Sequence, residues 1–436
     1  MTGTRGVRQG IRWGLEHGLV RRLVKREAAR GGLVARLMND TVVADPYPTY
    51  DEVRAQGRLV PTAVARLTAH HDVCAAVLRS PDFGVSPRLS PPTWMKIAIW
   101  AGGRPSLGPG TPPSLLALDP PDHTRIRKLV SRAFTPRAIA ALRSRTEEIA
   151  TELLDRMAAR GASADLIAEY ASLLPATVIA ETLGAPVAMR KQFLNWGEGA
   201  ALSLDVGISL RDYRRAERDL DALHAWMVSH FEYLRTNPSD TLLSTLVRVH
   251  DEGSLTDDEL TITGMLLLVA GFETTVNLIG NGTALLASHP DQLAKLRDDP
   301  DGWPRAVEEI LRYDSPVQRT ARIAKRDTEV AGEPVKAGTL VVTLIGGANR
   351  DPAVFTDPHR FDVTRENAAS HLAFSSGVHF CLGAALARME GEVALRALFE
   401  RFPDLRLAGR PRRRPTRVLR GFDAMPVSLT GSAVTA

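Results

Sequence analysis

The spacing of apolar and polar residues predicts a mainly helical chain. Across most of residues 120–315, apolar side chains recur every three or four positions, the period that gives a helix one buried face. The clearest segment opens at Thr256. Thr256 and Glu259 form a capping-box pattern, and Asp257 and Asp258 place negative charge beside the free N–H groups of a helix start. The pattern continues to about Ser288, just before Pro290, which predicts a rod of about 50 Å. Its middle is apolar on most sides, so the rod is expected to cross the protein's centre.

Strand signals are sparse. Residues 329–342 read as a short hairpin region, and a second short strand pair is expected near Val418 and Val427. Residues 81–118 are rich in Pro, Gly and Ser and carry Trp94, Ile97, Ile99 and Trp100, the make-up of a long lid or binding loop. Near the start, Ile11, Leu15, Leu19, Leu23 and Val24 recur at roughly helical spacing with arginines between them. This basic lead is expected either to pack on the protein's own surface or to make a weak peripheral contact with anionic lipid. The chain thus divides into a basic N-terminal extension over 1–43, one main domain over 44–430 and a tail over 431–436.

Composition narrows the picture. With 436 residues, 44% hydrophobic and 24% charged, the chain suits a soluble globular enzyme with room to enclose a cofactor. The formal charge of +5 resides in the lead. Its first 36 residues hold nine Arg or Lys against two Glu, a net +7, so the other 400 carry −2. That distribution argues against nucleic-acid binding by the chain as a whole. Lysine is scarce, 7 against 48 Arg, the usage of a GC-rich genome such as an actinobacterium's. No uninterrupted run of about 18 apolar residues occurs, and Arg21-Arg22 is not followed by the apolar stretch of a twin-arginine signal, so a cytoplasmic location is expected. The two cysteines, Cys74 and Cys381, lie far apart and suggest neither a disulfide nor a zinc framework.

Cys381 stands in Phe374-Ser375-Ser376-Gly377-Val378-His379-Phe380-Cys381-Leu382-Gly383, ahead of a helical pattern from Ala384 to Leu398. A helix start offers free N–H groups and partial positive charge, which favour a thiolate. Gly377 and Gly383 allow the backbone to approach a flat ligand. Taken alone, such a cysteine is most often a core residue. The whole segment, however, resembles the cysteine-ligand loop of the cytochrome P450 superfamily, Phe-x-x-Gly-x-His/Arg-x-Cys-x-Gly. Phe374, Gly377, His379, Cys381 and Gly383 occupy the matching positions; Ser375 departs, because a second Gly is common there. The resemblance implies haem b (iron protoporphyrin IX) as cofactor and Cys381 as its metal ligand, a thiolate that favours O–O cleavage.

Other segments resemble the same family. Ala270-Gly271-Phe272-Glu273-Thr274-Thr275 resembles its oxygen-activation motif. This implies that Ala270 and Gly271 border the cofactor, that Glu273 draws protons from solvent, and that Thr274 passes them on. Without the resemblance, Thr274 would simply bond the carbonyl of residue 270 and bend the helix. Glu309-Ile310-Leu311-Arg312 places opposite charges at i and i+3. In the family a later arginine, matched here by Arg360, joins that pair to brace the ligand side. Haem propionates need cationic partners, and His123, Arg127, Arg322 and His379 match positions that supply them. The resemblance runs from about Asp45 to Leu429. More narrowly, the lead and residues 269–282 and 348–362 resemble the mycobacterial cytochrome P450 family 140.

The resemblance implies a single-domain, mainly α fold with small peripheral β-sheets, shaped as a triangular prism. Haem would lie between the central helix and the cysteine loop, and the activity would be that of a haem-thiolate monooxygenase. Leu266, Val269, Val317, Gln318, Val418 and Leu419 are expected to line a pocket for a hydrophobic small molecule, with Gln318 giving an orienting hydrogen bond. No flavin or nicotinamide fingerprint is present, so electrons are expected from a separate ferredoxin and ferredoxin reductase, docking on Arg125, Lys128 and Arg132. A monomer is expected. The alternative is a peroxide-dependent peroxygenase, which the Glu273-Thr274 pair argues against; a haem-thiolate sensor or carrier is a further one.

Overall fold

The computed structural model describes residues 2–29, 31–39, 43–86, 101–103, 105–131 and 134–430. Trp94, Ile97, Ile99, Trp100, Arg132 and the tail over 431–436 lie outside them.

Helices dominate, and they assemble around one long helix, Asp257–Ser288. It begins as its sequence requires. Thr256 Oγ1 accepts from the Glu259 N–H at 3.2 Å, and Glu259 Oε2 accepts from the Thr256 N–H at 2.9 Å. Its 32 residues end ahead of Pro290 and span about 48 Å. Leu260 to Val269 are buried without a break, and Val276 to Thr283 likewise. By length and mean hydropathy this helix could cross a membrane, yet it is enclosed on nearly all sides by the rest of the fold.

Helix Ala384–Arg401 crosses the central helix at two reciprocal glycines. A side chain at Gly282 would meet Leu395 Cδ1 at 2.7 Å, and one at Gly391 would meet Leu278 Cδ2 at 2.7 Å. The backbones approach because each helix offers a glycine to the other's leucine. Helices Leu173–Leu183 and Trp303–Tyr313 also pack on it, within one continuous apolar core.

The largest sheet has five short strands in the order Val60–Pro61, Arg66–Thr68, Leu340–Thr343, Thr320–Ala324, Phe83–Gly84. Two strand expectations need correction. The hairpin is tighter than residues 329–342: Thr328–Val330 pairs with Glu333–Val335 across Ala331-Gly332, both at positive φ, while Leu340–Thr343 pairs into the five-stranded sheet. Val418 and Val427 are not partners. Leu419 bridges to Val317, and Pro426–Ser428 pairs with Ser163–Asp165 and with Arg406–Leu407. Local alternation finds strands, but only the fold chooses which distant segment pairs with each.

The basic lead is helical over Thr2–Trp13 and Leu19–Ala28, joined by a wider turn at Gly14–Gly18. One of its faces is docked on the body. Trp13 Nε1 donates to Ile208 O at 3.0 Å, and His17 is buried with its Nδ1 accepting from the Gly207 N–H at 3.0 Å.

Candidate active site

The cysteine loop is held from three directions. The Cys381 N–H donates to Phe374 O at 2.9 Å, closing the loop on itself. Phe374 is buried, with the Arg388 guanidinium 4.5 Å from its ring centroid. Arg79 Nε donates to Ser376 Oγ at 2.7 Å and ties the loop to helix His71–Arg79. Gly377 has φ +70°, and a side chain there would meet Leu78 O at 2.5 Å, so its smallness serves this contact. Gly383 has nothing within 4 Å of where a side chain would start, a cradle beside the sulfur. Ser375, the departure from the family pattern, also sits at positive φ, +63°. Cys381 is open on one side and closely packed on the others. Burial pushes its thiol pKa up, while the Gly383 N–H, Arg127 and Arg388 pull it down.

Behind the loop stands a fully buried ion pair. Arg312 Nε and Nη2 donate to the two Glu309 oxygens at 2.6 and 2.8 Å, and both side chains have no exposed surface. The remaining N–H groups of Arg312 reach the carbonyls of Asn349 (3.0 Å), Pro358 (2.9 Å) and Arg360 (3.2 Å). Arg360 contributes only this carbonyl, and the residue is exposed. The arginine that joins the pair is Arg365, whose Nε lies 3.2 Å from Glu309 Oε2. The third member of the brace thus stands five residues beyond the expected Arg360. The tie reaches the cysteine loop through Asn349, which accepts from the Leu372 N–H at 2.7 Å.

His123, Arg127, Arg322 and His379 come together beside Cys381. The His123 and His379 rings stand 4.4 Å apart. Arg127 Nη2 donates to Phe380 O at 2.6 Å. His123 Nδ1 and His379 Nε2 are buried without hydrogen-bond partners. Among the described residues, neither Arg127 nor Arg322 has a carboxylate at ion-pair distance, although Arg322 is only 5% exposed. Burial lowers the Arg322 pKa to about 10. Burial, then Arg322 and His123, push His379 down to about 3. A buried arginine and two imidazoles with unpartnered ring nitrogens, gathered beside a second arginine, are costly unless anionic groups meet them. A flat cofactor carrying two carboxylates fits this donor set, with the Gly383 cradle and the open side of Cys381 adjoining it.

Between Leu260 and Thr283 the central helix presents one gap in its burial: Ala270 is exposed, and Gly271 and Thr274 beside it are half-buried. Thr274 Oγ1 donates to Ala270 O at 3.3 Å, the local bond expected of a mid-helix threonine. Gly271 faces elsewhere: a side chain there would meet Ile179 at 2.5 Å, so this glycine serves packing between helices. Glu273 does not face solvent. It is 3% exposed, buried against helix Arg190–Ser203 and ion-paired to Arg414. Burial raises its pKa; Arg414 lowers it and Glu198 and Asp423 oppose Arg414. Arg414 Nε lies 3.6 Å from the half-exposed Asp423, which makes the link to the surface. The sequence reading missed Arg414, because nothing local marks an arginine 141 residues away as the partner of Glu273.

The expected pocket segments do meet. Val317 bridges Leu419, and the Gln318 N–H donates to Val418 O at 2.8 Å. Val317 and Val418 are half-buried, and Leu266 lies one turn before Ala270 on the same face. Gln318 needs correction. Its Oε1 accepts from Tyr50 Oη at 3.1 Å and its Nε2 donates to Ser315 O at 2.8 Å, so both ends are engaged within the fold. Arg125 is likewise occupied, paired with Glu259 and donating to Ser254 O at 2.8 Å, whereas Lys128 is exposed.

A family model of cytochrome P450 matches residues 203–302 and 304–414. A Mycobacterium tuberculosis protein (strain ATCC 25618 / H37Rv) described as "Putative cytochrome P450 140" is 51% identical over 409 residues, 92% of this chain and 93% of its own. The 6-deoxyerythronolide B hydroxylase of Saccharopolyspora erythraea is 41% identical over 411 residues, 91% of this chain and 99% of its own. Among solved structures, Mycobacterium smegmatis CYP164A2 superposes with a TM-score of 0.82 at 35% identity, covering 91% of this chain and 99% of that one. Sequence, fold and the setting of Cys381 therefore agree: the chain belongs to the bacterial cytochrome P450 family, as one of its haem-dependent monooxygenases.

Proposed function

We propose that this monooxygenase uses haem b with Cys381 as its thiolate ligand, takes electrons from a separate ferredoxin and ferredoxin reductase, and inserts one oxygen atom of O2 into a hydrophobic small molecule in the cytoplasm. The net reaction is RH + O2 + two electrons + two protons giving ROH + H2O. The observation that carries the reading is the cluster of His123, Arg127, Arg322 and His379 beside Cys381, with His123 and Arg322 buried and the other two half-buried, whose match is a cofactor with two carboxylates. When bound, haem supplies the oxygen-activating redox chemistry.

The protein's residues do the rest. Cys381 would hold the metal, and the Gly383 N–H and Arg127 favour its charged form. Thr274 can exchange its bond to Ala270 O for one into the open face beside Ala270 and so deliver a proton there. Glu273 supplies Thr274, and Glu273 is itself recharged through the Arg414–Asp423 link when that ion pair opens. Leu266, Val269, Val317, Val418 and Leu419 supply an apolar wall. Related structures hold apolar ligands: one contains myristic acid and another testosterone. Lys128 contributes positive charge to the ferredoxin-docking side. The outward face of the lead, with Val7 65% and Leu19 46% exposed among arginines, supports a weak contact with anionic lipid.

The test is spectroscopic and kinetic. The reduced carbon-monoxide complex should show the red-shifted Soret band of thiolate-bound haem, and Cys381→His should abolish it. Survival of the band in that variant would remove Cys381 from the ligand position. Ferredoxin, reductase and NAD(P)H should give oxygen-dependent product; turnover with hydrogen peroxide alone would favour the peroxygenase.

A further inference from the structure

The extension is attached to the parts of the fold that border the candidate substrate site. Helices Arg190–Ser203 and Leu210–Thr236 lie across the central helix, and Gly197 of the first packs on Phe272 and Glu273. The loop joining them, 204–209, is gripped from both sides. From outside, Trp13 Nε1 donates to Ile208 O at 3.0 Å, Arg21 Nη1 donates to Gly207 O at 2.9 Å, and His17 Nδ1 accepts from the Gly207 N–H at 3.0 Å. From inside, the Asp205 carboxylate accepts from the N–H groups of Arg417 and Val418, each at 2.8 Å. Val418 and Leu419 belong to the turn that bridges Val317.

Arg12 makes a second junction. It pairs with the buried Glu217, and Nε donates to Tyr213 Oη at 3.1 Å. Its Nη1 donates to Gly102 O at 2.8 Å. Glu217 also accepts from the Ser106 N–H at 3.1 Å. One guanidinium thus joins the extension, helix Leu210–Thr236 and the loop that contains Gly102 and Ser106. Charge-assisted bonds to a buried carboxylate are among the stronger contacts a surface helix can make.

We propose that Arg12, Trp13, His17 and Arg21 are positioning residues: through the 204–209 loop and Asp205 they fix the Val418-Leu419 turn, and so set the width of the substrate entrance. The extension is then a strap that favours the closed entrance and discriminates by ligand size. This inference rests on reading Val418 and Leu419 as substrate-facing.

Arg12→Ala and the milder Trp13→Phe, made in the full-length holoenzyme, test it. Dissociation of the bulky azole econazole should accelerate about tenfold in Arg12→Ala, while that of imidazole, small enough to pass a narrow entrance, stays within about twofold. Arg12→Lys should fall between Arg12→Ala and the parent. Amide hydrogen exchange should rise at 12–38, 101–108, 204–217 and 416–419 and remain unchanged around Cys381. An equal effect on both azoles, no effect on either, or a rise in exchange across the whole chain would overturn the proposal. The exchange measurement needs no haem signal. A missing carbon-monoxide band would therefore count against the cofactor reading, while exchange at 204–209 and 416–419 still decides the strap.

Discussion

Ser375 holds φ at +63°, where any side chain clashes with its own backbone at a cost of about 1–2 kcal/mol. Its hydroxyl is also buried without a hydrogen-bond partner. Glycine would relieve both penalties, offset in part by its greater freedom when unfolded. Ser375→Gly should therefore stabilise the protein by about 1 kcal/mol in denaturant unfolding. An unchanged or lower midpoint would mean that the hydroxyl has a partner in solution. The same scale shows what holds Gln318 in place. A glutamine in a pocket segment looks available in the sequence, but Tyr50 and Ser315 are what its two ends contact.

Between elements, Glu390 of helix Ala384–Arg401 is wholly buried, and neither of its oxygens has a hydrogen-bond partner within ordinary geometry. Burial raises its pKa well above 4.5, with only the Thr275 side chain opposing. It therefore keeps its proton to higher pH in the folded protein than in the unfolded chain. Because the folded state then binds the extra proton, stability is fully present below pH 4.5 and declines as pH rises toward the folded pKa. Glutamine cannot ionise, so the difference in Tm between Glu390→Gln and the parent should grow in the variant's favour from about pH 5 to pH 8. A difference that is flat with pH would show that Glu390 is ionised or hydrated in the fold. The central helix itself was readable, because its cap, its apolar length and its terminal proline are all local signals. The crossing of the two helices at Gly282 and Gly391 was not, since a glycine does not declare which leucine will approach it.

Across the whole molecule, Glu309, Arg312 and Arg365 couple helix Trp303–Tyr313 to the long segment that leads into the cysteine loop. Removing one partner of a buried pair leaves an uncompensated charge. Arg365→Ala should cost about 2 kcal/mol or more, and Arg360→Ala, at an exposed side chain, less than about 0.5 kcal/mol. Thermal unfolding of the two variants side by side checks this, and the reverse order would restore Arg360 as the third member. The mainly helical class, the span of the central helix and the Glu309-Arg312 spacing were determined by the sequence alone, because each is a short-range pattern tied to a helix period, whereas Cys381 and the Glu273-Thr274 pair stood out only through the family resemblance of their segments. Other features were decided only by the tertiary structure: Arg365 in place of Arg360, Arg414 as the partner of Glu273, the docking of the basic lead on the 204–209 loop, and the convergence of two arginines and two histidines beside Cys381. The physical reason is common to them. Each depends on which groups are buried together, and burial is what turns a charge that water would screen into one that must find a specific, distant partner.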